Sequence, residues 1–561
     1  MKIIVCILSL LFCSEIFGQT APGKYWIRFT DKDNSIYSLS NPSAFLSEKC
    51  IERRIRLGIG FNELDLPVKQ SYIEGVLAAG NCQLHNKSKW FNAITITTAD
   101  TSLVDLIEAL PFVAEVKSVQ VLTSTHELAL KKLSEQNTLR SAEASMQSYC
   151  DATHQHYGPS FRQIEMLNGH LLHEFGFTGI GVDIALLDAG WNMTDKLPAF
   201  DRMHNENRLI MTRDFVNPQS TTVFNSSSHG TYVLSHITGH IADSLIGTAP
   251  DANFFLFKTE DADSEYLVEE DNWVAAAEVC DSLGIDIINS SLGYSLFDDT
   301  LMNHTYTDMD GNTTHCSIAA DIASHKGILV VNSAGNSGDN PWHYITAPSD
   351  GDSVLCIGAV GAERQHAWFS SYGPSADGDV KPNVCAMGFQ TVFAALDSTI
   401  AMGNGTSFSS PIIAGMAACL IQAFPLKSNM EIKNAIEQSA HLYAAPNDSL
   451  GYGIPDFWQA FLILQGNTQP NEGDLYATVF PNPCNTHLNI IIRVESGCMA
   501  SYQMFNAKGQ RVYEGQHFIQ SGEKGVLQLD DALQTLSAGH YVLHLSTSDR
   551  HSEVPFIVAR P

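Results

Sequence analysis

Asp188, His229 and Ser407 are the residue types that together make a hydroxyl attack a carbonyl carbon. A serine hydroxyl is a weak nucleophile near neutral pH and needs a base within hydrogen-bond reach. His229, in Ser228–Thr231, is a residue that can take that proton and return it to a leaving amine. Asp188, which follows the run Val182–Leu187, can fix the imidazole tautomer and stabilise the imidazolium. Ser407 stands in Gly403–Pro411, at the mouth of the apolar run Ile412–Phe424. The attack leaves a negative oxygen that needs preset donors. The Ser407 amide at a helix start supplies one, and the Asn336 side chain, in Val331–Gly338, supplies a second. Gly405 lets a substrate backbone come close.

These groups are far apart in sequence, so a fold must gather them. Val182–Leu187, Phe254–Phe257, Ile285–Ile288, Ile328–Val331 and Ser353–Ile357 are short apolar runs. Such runs fit strands buried on both faces of a parallel sheet. Asp271–Leu283 and Ser317–His325 read as helices between them. Residues 160–465 therefore read as an α/β domain, doubly wound around a mainly parallel sheet. Loops at the carboxyl ends of its strands would bring the Asp, His and Ser together.

The flanks read differently. Residues 20–122 alternate strand and helix signals as a small α+β module: strand Tyr25–Phe29, helix 43–57 opened by Pro42, helix 69–79, strand Phe91–Ile96, helix 102–109 and strand Ala114–Val121. Residues 123–159 form a linker, polar through 150, that is open to processing. A second linker at 466–473 precedes residues 474–561. There the strands Leu488–Val494, Ser501–Phe505 and Tyr541–Leu545, with a turn at Ala507–Gln510, predict a small β-sandwich.

Composition narrows the partners. The 561 residues carry 61 acidic against 32 basic side chains, a net charge of −29. Such a chain repels phosphate, which argues against nucleic acid. A 44% apolar and 17% charged composition is that of a globular protein. Lys2 and the run Ile3–Cys13, followed by Gly18, read as a signal peptide over 1–19, so the protein is exported. No apolar run reaches the roughly 18–20 residues of a membrane span. The twelve cysteines show no C-x-x-C pair, which disfavours a zinc knuckle. Cys484 and Cys498 are near enough in sequence to bridge, whereas Cys280, Cys385 and Cys419 read as core thiols. His236 and His240 could share a helix face but read as a packed or surface pair. Asp308–Asn312 opens like a calcium loop, yet Ala319 stands where the last carboxylate is needed, so it reads as a capping turn. His304, His315, His325, His343 and His366 read as surface or loop residues. No cofactor or metal ligand is assigned, and structural calcium stays open without a site.

In the order Asp, His, Ser, the blocks Asp188–Gly190, His229–Thr231, Asn289–Gly293, Ala334–Asn336 and Gly405–Pro411 resemble the subtilisin-like serine proteases (subtilases). The resemblance spans residues 160–465. It implies a secreted serine endopeptidase with Ser407 as nucleophile, His229 as base, Asp188 as its orienter and Asn336 as oxyanion donor. It also implies that Ser290, Ser291, Leu292 and Gly293 pair with the backbone of a polypeptide substrate. Ala334 and Gly335 would line the pocket for the side chain before the cut. Ala189, Tyr232–Ile237 and Ser409–Ser410 depart from the family's usual residues without removing a catalytic group. Residues 20–122 are similar to the family's inhibitory propeptide, which makes the chain an inactive precursor. Val479–Pro483, Leu488–Ile490, Ala507–Val512 and Leu536–Tyr541 resemble a type IX secretion sorting domain, implying that machinery as a partner and a secreted or cell-surface location. The competing reading is a surface peptide-binding or adhesin protein on an inactive scaffold.

Overall fold

The computed structural model describes residues 23–121, 155–466, 476–480, 484, 488–493, 497–519, 524–548 and 550–560. The signal segment at 1–19, most of the 123–159 linker and nearly all of the 466–473 linker lie outside the described residues. The chain divides into two units, Met1–Phe461 and Leu462–Pro561.

Within the first unit, residues 23–121 form a four-stranded antiparallel sheet. Its strands are β1 (Gly23–Phe29), β2 (Cys82–Ser88), β3 (Ala93–Thr98) and β4 (Val113–Val121), in the order β2-β3-β1-β4. Helices α1 (Glu48–Leu57), α2 (Gln70–Ala78) and α3 (Ser102–Glu108) complete the module. Two expectations need correction. The helix expected from residue 43 begins at Glu48, because Ser47 accepts the Cys50 N–H at 3.1 Å and caps it there; Pro42–Ala44 is a separate 3-10 turn. Strand β2 was not legible, because Cys82–Ser88 is largely polar and owes its place to pairing with β3. One side of the sheet packs Ile27, Phe29, Ile94 and Ile96 with Ile73, Val76, Leu103 and Ile107. Trp26, Trp90, Ala93 and Val119 instead join the core of the following domain.

That domain is built on seven parallel strands. They are β5 (Asp183–Asp188), β6 (Leu209–Asp214), β7 (Asn253–Lys258), β8 (Ile287–Ser290), β9 (Leu329–Ser333), β10 (Leu355–Val360) and β11 (Val384–Met387). Their order is β11-β10-β9-β8-β5-β7-β6. The four helices that matter below are α4 (His229–Thr238), α5 (Val268–Leu283), α6 (His315–His325) and α7 (Thr406–Ala423). Strands β8 to β11 are buried at every residue, as expected of a sheet covered on both faces. Helix α7 matches a membrane span in length and composition, contrary to the expectation that no such stretch exists, but 78% of it is buried in the domain. It is a core helix that opens on the polar pair Thr406 and Ser407.

The N-terminal module docks on α5 through buried charge. Arg54 donates to Asp281 at 2.7 Å and to Asp65 at 2.9 Å, with all three side chains at 0% exposure. Lys89 reaches the other Asp281 oxygen at 2.9 Å, and Lys326 reaches Asp65 at 2.6 Å. Glu278 accepts from Ser88 Oγ at 2.6 Å, Lys89 N at 2.7 Å and Trp90 N at 2.9 Å. His304 lies in a loop, as expected, but is not surface decoration, and His315, contrary to expectation, opens α6. His304 pairs with buried Glu270, and His315 pairs with buried Asp271 while its ring lies 4.8 Å from that of Trp26.

In the second unit, Tyr476–Phe480, Asn489–Arg493 and Lys524–Gln528 form one sheet. Cys498–Asn506, Arg511–Ile519, Gly539–Ser546 and His551–Val558 form another. Val479, Ile490, Met504, Leu543 and Phe556 share one core, which makes a sandwich. Cys484 and Cys498 are free thiols, not a bridge. Cys484 pairs with the Val558 end of the last strand and donates its thiol to the Ile557 carbonyl at 3.2 Å, whereas Cys498 pairs with Ile519.

Candidate active site

Asp188 is the last residue of β5 and is fully buried. Its Oδ1 accepts from the Ala189 amide at 2.7 Å. His229 is the first residue of α4, and its Nδ1 lies 2.9 and 3.0 Å from the two Asp188 oxygens. Such contact makes Nδ1 the protonated nitrogen and turns Nε2 toward proton exchange. The imidazole is 35% exposed, against 0% for the carboxylate. The orienting charge is thus shielded while the base can still reach a substrate. Glycines permit this approach: a Cβ on Gly230 would sit 2.6 Å from the Gly190 carbonyl oxygen and 2.8 Å from Trp191 Nε1.

Ser407 is the second residue of α7. Its Oγ donates to the Ser291 carbonyl at 3.4 Å, and the Ser407 carbonyl accepts from Ser291 Oγ at 3.0 Å. Pro411 explains the second bond. It lies inside the helix rather than in the first turn, and without an N–H it cannot donate to the carbonyl four residues earlier. That carbonyl belongs to Ser407 and turns to Ser291 instead. Ser410 Oγ donates to Asn289 Oδ1 at 3.0 Å, and Trp273 Nε1 donates to Ser290 Oγ at 3.0 Å. The Asn289–Ser291 block is thereby tied to both α7 and α5. The unusual Ser409 and Ser410 are absorbed by local bonds, Ser409 Oγ reaching the Thr406 carbonyl at 3.0 Å.

Asn336 faces the start of the same helix. Its Oδ1 accepts from Thr406 N at 2.9 Å and Thr406 Oγ1 at 3.0 Å, and Gly335 N donates to that hydroxyl at 3.2 Å. With Oδ1 committed, the Asn336 amide group is the free end of the side chain. A Cβ on Gly405 would lie 3.7 Å from Ser407 N and 3.9 Å from Asn336 Nδ2. Gly405 therefore keeps clear a space that both donors border. Thr406 is the residue that motif reading missed: it sits inside the quoted block, but only the fold shows that it orients Asn336. Phe408 is another, its ring 6.5 Å from that of His229 and 5.0 Å from that of His236.

Ser290, Ser291, Leu292 and Gly293 run from the end of β8, beside Ala334 and Gly335 beyond β9. Asn332 Nδ2 donates to the Leu292 carbonyl at 3.0 Å and joins the two segments. His236 and His240 do not share a helix face, because α4 ends at Thr238 and His240 lies in a short strand. Burial lowers the His236 imidazole to about 4, so it is neutral. Asp308 caps Thr305, and Asp310 accepts from Asn312 N at 2.9 Å and Thr313 Oγ1 at 3.1 Å. Among the described residues two carboxylate trios, Glu260/Glu265/Glu269 and Asp352/Asp377/Asp379, could approach a cation, though acidic side chains often cluster without one.

Comparison with known proteins gives the family. Residues 179–453 match the subtilase family, residues 24–137 the peptidase S8 propeptide domain of Bacteroidota, and residues 478–559 the secretion system C-terminal sorting domain. Subtilisin NAT from Bacillus subtilis subsp. natto is 27% identical over 280 residues, 49% of this chain and 65% of that protein. Subtilisin BL from Lederbergia lenta is 28% identical over 276 residues, 49% of this chain and 89% of that protein. The crystal structure of MycP1 from Mycobacterium smegmatis is 22% identical, with a TM-score of 0.42 over 54% of this chain and 84% of that one. The chain thus spans about two-thirds of the full length of the first subtilisin it matches. The chain carries a subtilase segment with a match to a propeptide domain before it and to a sorting domain after it. The sorting domain marks it for type IX secretion, to the cell surface or beyond.

Proposed function

We propose that this chain is the precursor of a serine endopeptidase. The supporting observations are the Asp188–His229 pair at the carboxyl end of β5, the ring of Phe408, next to Ser407, 6.5 Å from that of His229, and the Ser407 and Asn336 donors bordering the space that Gly405 leaves open. Ser407 Oγ attacks the peptide carbonyl carbon as His229 Nε2 takes its proton. The carbonyl oxygen becomes an oxyanion between Ser407 N–H and Asn336 Nδ2. His229 then protonates the amine, the C–N bond breaks, and an acyl-enzyme remains. Water repeats the sequence: it gives its proton to His229, attacks the ester and releases the carboxylic acid, and Ser407 regains its proton. Asp188 stays ionised and stabilises the imidazolium throughout. No cofactor enters any step.

Substrates are polypeptides whose extended backbone pairs along Ser290–Gly293, with the side chain before the cut between that segment and Ala334–Gly335. The propeptide domain holds the precursor inactive until it is cut from the catalytic domain, and the type IX machinery reads the sorting domain. The test is Ser407→Ala: casein hydrolysis and labelling by a fluorophosphonate should both vanish, and the propeptide should remain attached. Proteolysis persisting in that variant refutes the assignment. A wild-type chain that takes no label after propeptide removal would favour a binding protein on an inactive scaffold.

A further inference from the structure

The segment Ser290–Gly293 is restrained along its length: Trp273 donates to Ser290, Ser291 donates to the Ser407 carbonyl, and Asn332 donates to the Leu292 carbonyl. Its far end is held by the next residue. Tyr294 is 1% exposed, and its backbone exchanges bonds with Ala347 at 2.8 and 3.2 Å. Its phenol donates to Glu260 Oε1 at 2.5 Å, the length of a hydroxyl on a carboxylate. Burial, and after it the Glu260 charge, pushes that phenol well above its ordinary pKa, so it remains a donor. Glu260 stands two residues past the end of β7. Its neighbour Thr259 donates its amide to the Asp188 carbonyl at 3.1 Å. Tyr294 therefore ties the loop after β8 to the loop after β7, and through Thr259 to the strand end that carries Asp188. Farther along, the same two loops meet again: Glu265 N donates to Asp298 Oδ2 at 3.0 Å, and Asp298 N donates to the Glu265 carbonyl at 2.9 Å. That outer contact fixes the far ends of the loops, and Tyr294 is the tie beside Gly293.

We propose that the Tyr294–Glu260 bond is a positioning device for Ser290–Gly293, governing affinity for an extended peptide and leaving the chemical step alone. A peptide that pairs along this segment needs its backbone groups preset in a line. A segment released at one end must be ordered when substrate binds, and that ordering costs affinity. The triad and Asn336 are held by separate bonds, so breaking this tie leaves them in place. Tyr294 is buried and acts through the segment that precedes it. The role of that segment rests on the endopeptidase reading above; the part played by Tyr294 comes from its bond to Glu260.

The test uses mature enzyme obtained from the full-length chain and two substrates. One is a tetrapeptide p-nitroanilide long enough to pair along the segment; the other is a single-residue p-nitrophenyl ester too short to do so. Tyr294→Phe keeps the ring and removes only the hydroxyl. It should raise KM on the tetrapeptide about tenfold, the worth of one hydrogen bond to a charged group. The tetrapeptide kcat and all ester kinetics should stay as in the wild type, the pattern of lost uniform binding. Glu260→Gln, which keeps an oxygen acceptor, should recover most of the affinity that Glu260→Leu loses. In the Glu260→Leu background Tyr294→Phe should add nothing, because the pair acts as one unit. Melting curves establish that the variants are folded. An unchanged tetrapeptide KM overturns the proposal, as does an equal loss on both substrates, which would mark a merely structural role. So does a Tyr294→Phe effect that persists undiminished beside Glu260→Leu. Each of these leaves the endopeptidase reading standing. If the wild type cleaves neither substrate and Ser407 takes no label, that reading fails, and this proposal with it.

Discussion

Asp281→Asn should uncouple the propeptide from the enzyme without touching the chemistry. Asp281 lies in the last turn of α5 at 0% exposure and faces Arg53, Arg54 and Lys89 of the propeptide domain. Burial by itself would raise its pKa, but Lys89, Arg54 and Arg53 outweigh that and hold the carboxyl well below the usual range. Neutralising it leaves three cations in a dry interface, with Asp65 the remaining carboxylate in contact with Arg54. Removing one partner from a buried ion pair costs about 3–5 kcal/mol. At about 1.4 kcal/mol per decade this weakens inhibition by added propeptide roughly 10² to 10⁴-fold. The mature enzyme should keep its kcat/KM on peptides, because Asp281 precedes the amino end of β8 whereas Ser407 contacts Ser291 beyond its carboxyl end. The assay is the inhibition constant of residues 20–122 added to mature wild type and variant. A double-mutant cycle then pairs Asp281→Leu in the enzyme with Arg54→Met in the propeptide. The double variant should inhibit better than the two single losses together allow. A change of less than about threefold for Asp281→Asn, or strictly additive losses in the cycle, would show that this buried network does not hold the propeptide; the threefold bound is well under the decade that about 1.4 kcal/mol represents.

Three further outcomes follow from the same geometry. Asn336→Ala should lower kcat by about 10²–10³ with little change in KM, the range known for removing one such donor from a subtilisin and not worked out from this structure; an unchanged kcat removes Asn336 from the oxyanion site. Gly405→Ala meets only ordinary contacts at 3.7–3.9 Å but forces a side chain onto a φ of +157° that L residues rarely adopt, so it should fold with a lowered melting temperature and lose most of its kcat, because its methyl occupies the space between the donors; full activity would show that space to be unused. Burial, reinforced by Lys24, lowers the propeptide's His85 to about 4 from 6.5, with the bond to Asn272 opposing. A released propeptide regains the ordinary value, so this contribution to docking is intact above about 6.5 and fades toward 4, by at most about tenfold per pH unit. His85→Gln should flatten the inhibition-against-pH curve across that window; an unaltered slope would assign the acid dependence to other groups.

Much of the catalytic constellation was legible because each group carries its own local marker. Asp188 ends an apolar run, His229 opens a helix, and Ser407 lies between glycines and an apolar helix. Five strands of the central sheet were visible for the same reason: being buried on both faces, they are continuously apolar; β11 is equally buried but was missed, its four residues being too short a run to stand out. Elements without such a marker were missed. Strand β2 is polar, and β6, at the sheet's edge, is exposed or half-buried at all but its last residue with no regular alternation. Both depend on a neighbour for their hydrogen bonds.

The sequence by itself determined the residue types of the site, the parallel architecture that gathers them and the order of the three segments. Those features rest on short-range patterns of hydrophobicity and turn chemistry. Tertiary structure alone decided that Thr406 aims Asn336 and that the helix-interior Pro411 gives the Ser407 carbonyl to Ser291. It alone brought Arg54 to Asp281 across 227 residues of chain. Each of these is a contact between segments distant in sequence. Charge and hydroxyl groups have no preferred partner until packing excludes water and leaves one within reach.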